Sequence, residues 1–280
     1  MHDIGCHAST EKMSMAAAGK TYTSDVASGR HFLVACVLAI AGTGSTLLLM
    51  PYLFAAMPQL VARIPVPLWL FVASAALQSG ALILLLGWLG LRLGYRYDLG
   101  APWLRRWLRA EPSRNPRQYL LVSILIGLVI GSIILLVVLL DTSLPVIKNL
   151  IVPEQTNTSN WWQGLLASFY GGIAEEILLR QFAVSLLVWI AAHLLKQDQP
   201  ESIIYWFAIV AAAVLFGIGH LPAAAQIIPL NFAAATHIIG LNTIGGVAFG
   251  AVFWRWGLEH AMLTHFTADL VLHVVAPLIV

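Results

Sequence analysis

Residues Trp161 to Leu195 read WWQGLLASFYGGIAEEILLRQFAVSLLVWIAAHLL, an apolar run whose ionised side chains are Glu175, Glu176 and Arg180. Such a run points to a membrane helix. Charges at membrane depth cost several kcal/mol unless paired or wetted, so these three mark a functional site. Helix geometry sorts them. Glu176 and Arg180 are four residues apart and share a face, which makes them a structural ion pair. Glu175 lies about 100° around the helix from Glu176 and is the carboxylate left to face a cavity. The rival reading of the same residues is a charge cluster that only locks two helices together.

Outward from this stretch, the whole composition agrees with a membrane setting. Of 280 residues, 59% are hydrophobic and 10% charged, and the mean hydropathy is +0.83. Repeated apolar runs of about 20 residues predict an all-α polytopic transmembrane bundle of seven to eight spans. A transmembrane β-barrel would instead show short alternating segments. No basic, aromatic-interleaved patch suggests nucleic acid. Cys6 and Cys36, one in a polar tail and one in a span, make no disulfide framework.

The spans expected are 31–56, 67–91, 119–140, 161–194, 203–220, 232–254 and 258–279. Residues 1–30 read as a flexible tail, in which His2, Cys6 and His7 carry no site of note. Residues 31–140 read as three anchoring spans with a basic loop at 92–117, and residues 160–280 as the working domain, with a four-helix catalytic core. The loop carries Arg92, Arg96, Arg105, Arg106, Arg109, Arg114 and Arg117 against Asp98 and Glu111, which places it and the amino terminus in the cytoplasm. Trp103, Leu104, Trp107 and Leu108 between those arginines suit a short interfacial helix. Asn157-Thr158-Ser159, in the loop expected outside, is a sequon by chance. Gly127 and Gly131, and again Gly246 and Gly250, offer faces for close helix packing.

Every intramembrane ionisable residue of interest falls in the second half. Besides the glutamates there are Phe216-Gly217-Ile218-Gly219-His220, with Pro222 behind, and His265-Phe266-Thr267-Ala268-Asp269. His265 and Asp269 share a face, and His273 continues it. Glu175 and His220 each lie about 19 residues from the hairpin Lys196–Glu201, roughly 28 Å along a helix, so antiparallel spans carry them at one depth. His265 lies only about 12 Å from the turn at Arg255–Gly257. Tilt, or fourth and fifth helices projecting into the cytoplasm, is needed to bring it level. His193 and His237 read as hydrogen-bonded core residues, and His260 as an interfacial one.

Two chemistries fit such a set. A carboxylate beside a neutral histidine deprotonates a water while a second histidine stabilises the oxyanion. Alternatively Glu175, His220 and His265 hold one divalent metal such as zinc, which activates the water. No nucleophile elbow is present, which argues against a covalent route.

The ordered motifs Glu175-Glu176-x-x-x-Arg180, Phe216-x-x-x-His220 and His265-x-x-x-Asp269 resemble those of the CPBP family, which groups CAAX prenyl endopeptidases with bacteriocin-processing and bacteriocin-immunity (Abi) proteins. The resemblance spans roughly residues 160–275. It implies an intramembrane protease in which Glu175 and His220 activate water while His265 and Asp269 hold the oxyanion. The family pattern often ends in asparagine where this chain has Asp269, which donates no hydrogen bond when ionised. The family's third motif is met only loosely, around Phe249, Gly250 and Trp254.

The expectation is therefore an integral endopeptidase of the plasma (inner) membrane acting on a membrane-associated protein or peptide in the lipid bilayer. Its rivals are a non-catalytic immunity factor or scaffold of the same fold, and an ion-coupled transporter. A transporter would show repeated halves with discontinuous helices, and the two halves here differ sharply in polar content.

Overall fold

The computed structural model describes residues 5–108, 116–140 and 160–279. Arg109, Glu111 and Arg114 of the basic loop, and the Asn157-Thr158-Ser159 triplet, lie outside them, as does His2. Every regular element among the described residues is helical. Seven helices are long and apolar enough to cross a membrane: His31–Ala56, Leu68–Tyr97, Leu120–Leu140, Trp161–Leu194, Ser202–Ala224, Phe232–Trp256 and Leu258–Ile279. The protein is an all-α polytopic bundle. Large apolar side chains such as Ile40, Leu77 and Leu140 are 70–75% exposed on its outside, which water would penalise and lipid does not.

Boundaries differ from expectation mainly at helix ends. The first helix begins at Gly5, upstream of its membrane-length part. The fifth continues through Pro222 to Ala224 rather than stopping at 220. Proline lacks one backbone donor and tends to break a helix, but in a membrane the surrounding helices favour continued backbone pairing. The sixth ends at Gly257, whose φ of +98° is a conformation that suits glycine.

The first three spans do more than anchor. Gly90 of the second lies directly on the backbone of Gln181 and Phe182, and Gly87 faces Ile177. Gly127 and Gly131 of the third lie on the backbone of Thr264 and Ala268 in the last span. Gly246 and Gly250 of the sixth likewise meet Ala213 and Ile209 of the fifth. Lipid provides no hydrophobic drive between helices, so such small-residue faces bring backbones close and maximise van der Waals contact. The fourth and last spans, which carry the charged groups, are thereby clasped on several sides.

Candidate active site

The fourth span is not a uniform α-helix. Trp161–Tyr170 is α-helical, Gly171–Glu175 and Ile177–Val184 are π-helical, and Ser185–Leu194 is α-helical again. The last span contains a further π turn at Val271–Val275. Widened turns shift the angular position of side chains and cluster at functional sites. Here the first places Gly171 against the Asp269 carboxylate and His265 Nε2, where any side chain would collide.

Glu176 and Arg180 form the expected pair, NH1 to Oε1 at 3.1 Å, with both side chains almost completely buried. Arg180 NH2 also reaches the Gly246 carbonyl at 3.3 Å. Its guanidinium lies between two rings, 4.9 Å from the centroid of Phe216 and 5.4 Å from that of Phe249. The pair is not self-contained, however. Glu176 Oε1 also meets His265 Nδ1 at 2.8 Å. A carboxylate paired with arginine only accepts, so Nδ1 carries the proton in this bond.

That bond fixes what His265 presents on its other side. Its Nε2 stands 3.8 Å from Glu175 Oε2 and 3.6 Å from Asp269 Oδ1. An Nε2 facing two carboxylates is suited to hold an N–H rather than a lone pair. Phe249 stacks on the ring, with centroids 4.3 Å apart and planes at 19°. Glu175, by contrast, keeps 20% of its side chain accessible while Glu176 keeps none. The two neighbouring carboxylates thus differ as the helical arithmetic requires.

His220 donates Nδ1–H to the Phe216 carbonyl at 2.9 Å, since a carbonyl can only accept. This leaves Nε2 as its basic nitrogen in the neutral ring. Phe216 is the spacer between the histidines, its centroid 4.6 Å from His220 and 5.6 Å from His265. His273 approaches Asp269 at 4.0 Å and meets the edge of Tyr52 from the first span. Glu175, Glu176 and Asp269 all approach His265, Arg180 joins them through Glu176, and His220 through Phe216. The residue count left His265 about 16 Å out of register, and the fourth and last spans are accordingly staggered or tilted rather than level.

Among the described residues, no three His, Cys, Asp or Glu side chains stand where they would hold one metal ion. Nδ1 of each histidine is bonded, His220 to its own helix and His265 to Glu176, which leaves Nε2 as the nitrogen a metal would use. The set Glu175, His220 and His265 does not make a ligand sphere in this arrangement.

Sequence reasoning passed over Phe216 as a spacer, the Glu176–His265 bond and Glu259. Glu259 Oε1 accepts the Leu104 backbone N–H at 2.9 Å, tying the basic loop to the start of the last span. An acid immediately after a span boundary was the available signal. His193 is bonded within its own helix, Nδ1 to the Trp189 carbonyl at 2.8 Å, but it is exposed rather than the core residue expected.

Seven membrane-length helices with ionisable residues gathered inside the last four define an integral membrane protein with a polar intramembrane site. Residues 157–271, the segment holding Glu175, Glu176, Arg180, His220, His265 and Asp269, match the family described as type II CAAX prenyl endopeptidase Rce1-like. This segment is similar to that family, in agreement with the order of its motifs. No curated protein and no solved structure matches the chain. The protein is accordingly an integral membrane protein whose second half is similar to CAAX-type endopeptidases.

Proposed function

We propose that the protein is an intramembrane endopeptidase that cuts a membrane-associated substrate with water activated by Glu175 and His220, while His265, oriented by Asp269, stabilises the oxyanion. The observation that carries this reading is the Glu175–His265 approach at 3.8 Å, with His265 held from behind by Glu176 at 2.8 Å. Glu175 takes a proton from water as the water oxygen bonds to the scissile carbonyl carbon. His220, through its free Nε2, orients that water. Charge moves to the carbonyl oxygen, which His265 Nε2–H stabilises. Collapse breaks the C–N bond, and Glu175 returns the proton to the leaving amine. One water is consumed, and a carboxylic acid and an amine leave. A positioned base contributes about 10²–10⁴-fold and an oxyanion donor about 10²–10³-fold, enough to make each group indispensable. The ligand geometry gives no support for routing a step through a metal.

The same reading sets the orientation. The arginines of 92–117 support a cytoplasmic loop and amino terminus, which fits a protease of a plasma (inner) membrane. The ties of this loop to Asp198 and to Leu258, at the two other turns of the same parity, support one common end.

The test is hydrolysis of candidate membrane peptides by purified protein, with products identified by mass and metal content measured on the same sample. Cleavage by wild type and none by Glu175→Ala, with well under one metal ion per chain, is the expected result. Cleavage abolished by chelators would move the chemistry to a metal. Folded wild type that cuts nothing across the panel would favour the immunity or scaffold reading.

A further inference from the structure

We propose that the short helix Pro102–Trp107 is a binding platform for anionic phospholipid headgroups, fixed to the base of the span that carries His265 and Asp269. This inference does not depend on proteolysis. Arginines that only set topology need no defined structure. These belong to a segment tied down at four points. Leu258 N–H donates to the Gly100 carbonyl at 2.9 Å. Leu104 N–H donates to Glu259 at 2.9 Å. The Trp103 ring meets His260 edge-on at 5.1 Å. Gly257 packs directly against the Pro102 ring, where a β-carbon would have no room.

What this platform turns outward is cationic and aromatic. Arg106 and Trp107 are exposed, Trp107 at 73%. Arg105 instead packs inward, over the Tyr95 ring at 5.0 Å and against Gly100, so the outward cations are Arg106 and Arg96. Arg96 has a carboxylate within 3.7 Å, Asp198, but both side chains are largely exposed and the pair is weak. Because the helix lies between the end of the second span at Tyr97 and the start of the third at Leu120, it sits at headgroup level. Indole rings prefer that level, and guanidinium groups pair with phosphate oxygens in two-point contacts. An anionic lipid is the occupant that combines this depth with this charge. The arginines together are expected to favour it several-fold.

The test measures lipid selectivity directly, by electron spin resonance of spin-labelled phosphatidylglycerol and phosphatidylcholine around the full-length protein in bilayers. Wild type is expected to favour phosphatidylglycerol several-fold, and Arg96→Gln/Arg106→Gln to bring the preference close to one. Glu259→Ala, which frees the helix, should lower it, whereas Glu259→Gln, still able to accept from Leu104, should keep it. Raising salt from about 0.1 to 0.5 M should weaken the wild-type preference, a readout that needs no variant. Equal association of both lipids with wild type, an undiminished preference in the double variant, or a preference indifferent to salt would overturn the proposal.

Discussion

Glu175 and Glu176 are chemically identical and adjacent, yet one is partly accessible and the other is sealed. The difference is one residue's rotation about the helix axis, which is why the sequence already separates them, although the π turns alter the α-helical step of about 100°. The Glu176–Arg180 pair was legible for the same reason, as was the His265–Asp269 face. The 2.8 Å bond from His265 to Glu176 was not, because it joins residues 89 apart and no local spacing encodes it. Nor was the stacking of Phe249 on His265, since an aromatic in an apolar span is indistinguishable from packing. Arg180→Ala should therefore strand Glu176 and cost about 3–5 kcal/mol, seen as a large drop in denaturation midpoint. A variant as stable as wild type would mean that Glu176 has other solvation. Asp269→Asn, which supplies a donor where the family pattern often has one, should retain hydrolysis, whereas Asp269→Leu should lose it. Equal rates for the two would remove Asp269 from the site.

Elements were read well where hydropathy alone decides them. The fourth span and the sixth-to-seventh turn fell within two residues of expectation, because a bilayer-length apolar run leaves little latitude. The π-helical stretches at Gly171–Glu175 and Ile177–Val184 left no such trace, since widening a turn changes hydrogen bonding rather than composition. Their effect is testable at Gly171, whose added β-carbon would run into the Asp269 carboxylate. Gly171→Ala should leave helicity and melting nearly unchanged while cutting activity at least tenfold. Full activity would show that the turn is not part of the site's geometry. Gly127→Leu is the structural counterpart. It drives the third span off the Thr264 backbone and should destabilise the bundle by about 1–3 kcal/mol.

At the scale of the molecule, seven crossings put the turns near residues 100, 198 and 257 at one end, and two contacts bear this out. Leu258 bonds Gly100 at 2.9 Å, and Arg96 approaches Asp198 at 3.7 Å. The opposite end is joined by Gln163 donating to the Pro51 carbonyl at 3.1 Å. Asp198→Cys and Gln226→Cys should thus react with an impermeant maleimide from opposite sides of sealed vesicles, Asp198→Cys from the cytoplasmic side. Labelling from one common side would break the seven-span count. The central claim is narrower, that Glu175 activates the water. Its most direct measurement is the hydrolysis rate of Glu175→Gln beside wild type in proteoliposomes, with matched melting curves to show equal folding. The account predicts a fall of about 10²–10⁴-fold or more for Glu175→Gln. A folded Glu175→Gln protein that cuts at the wild-type rate would contradict it.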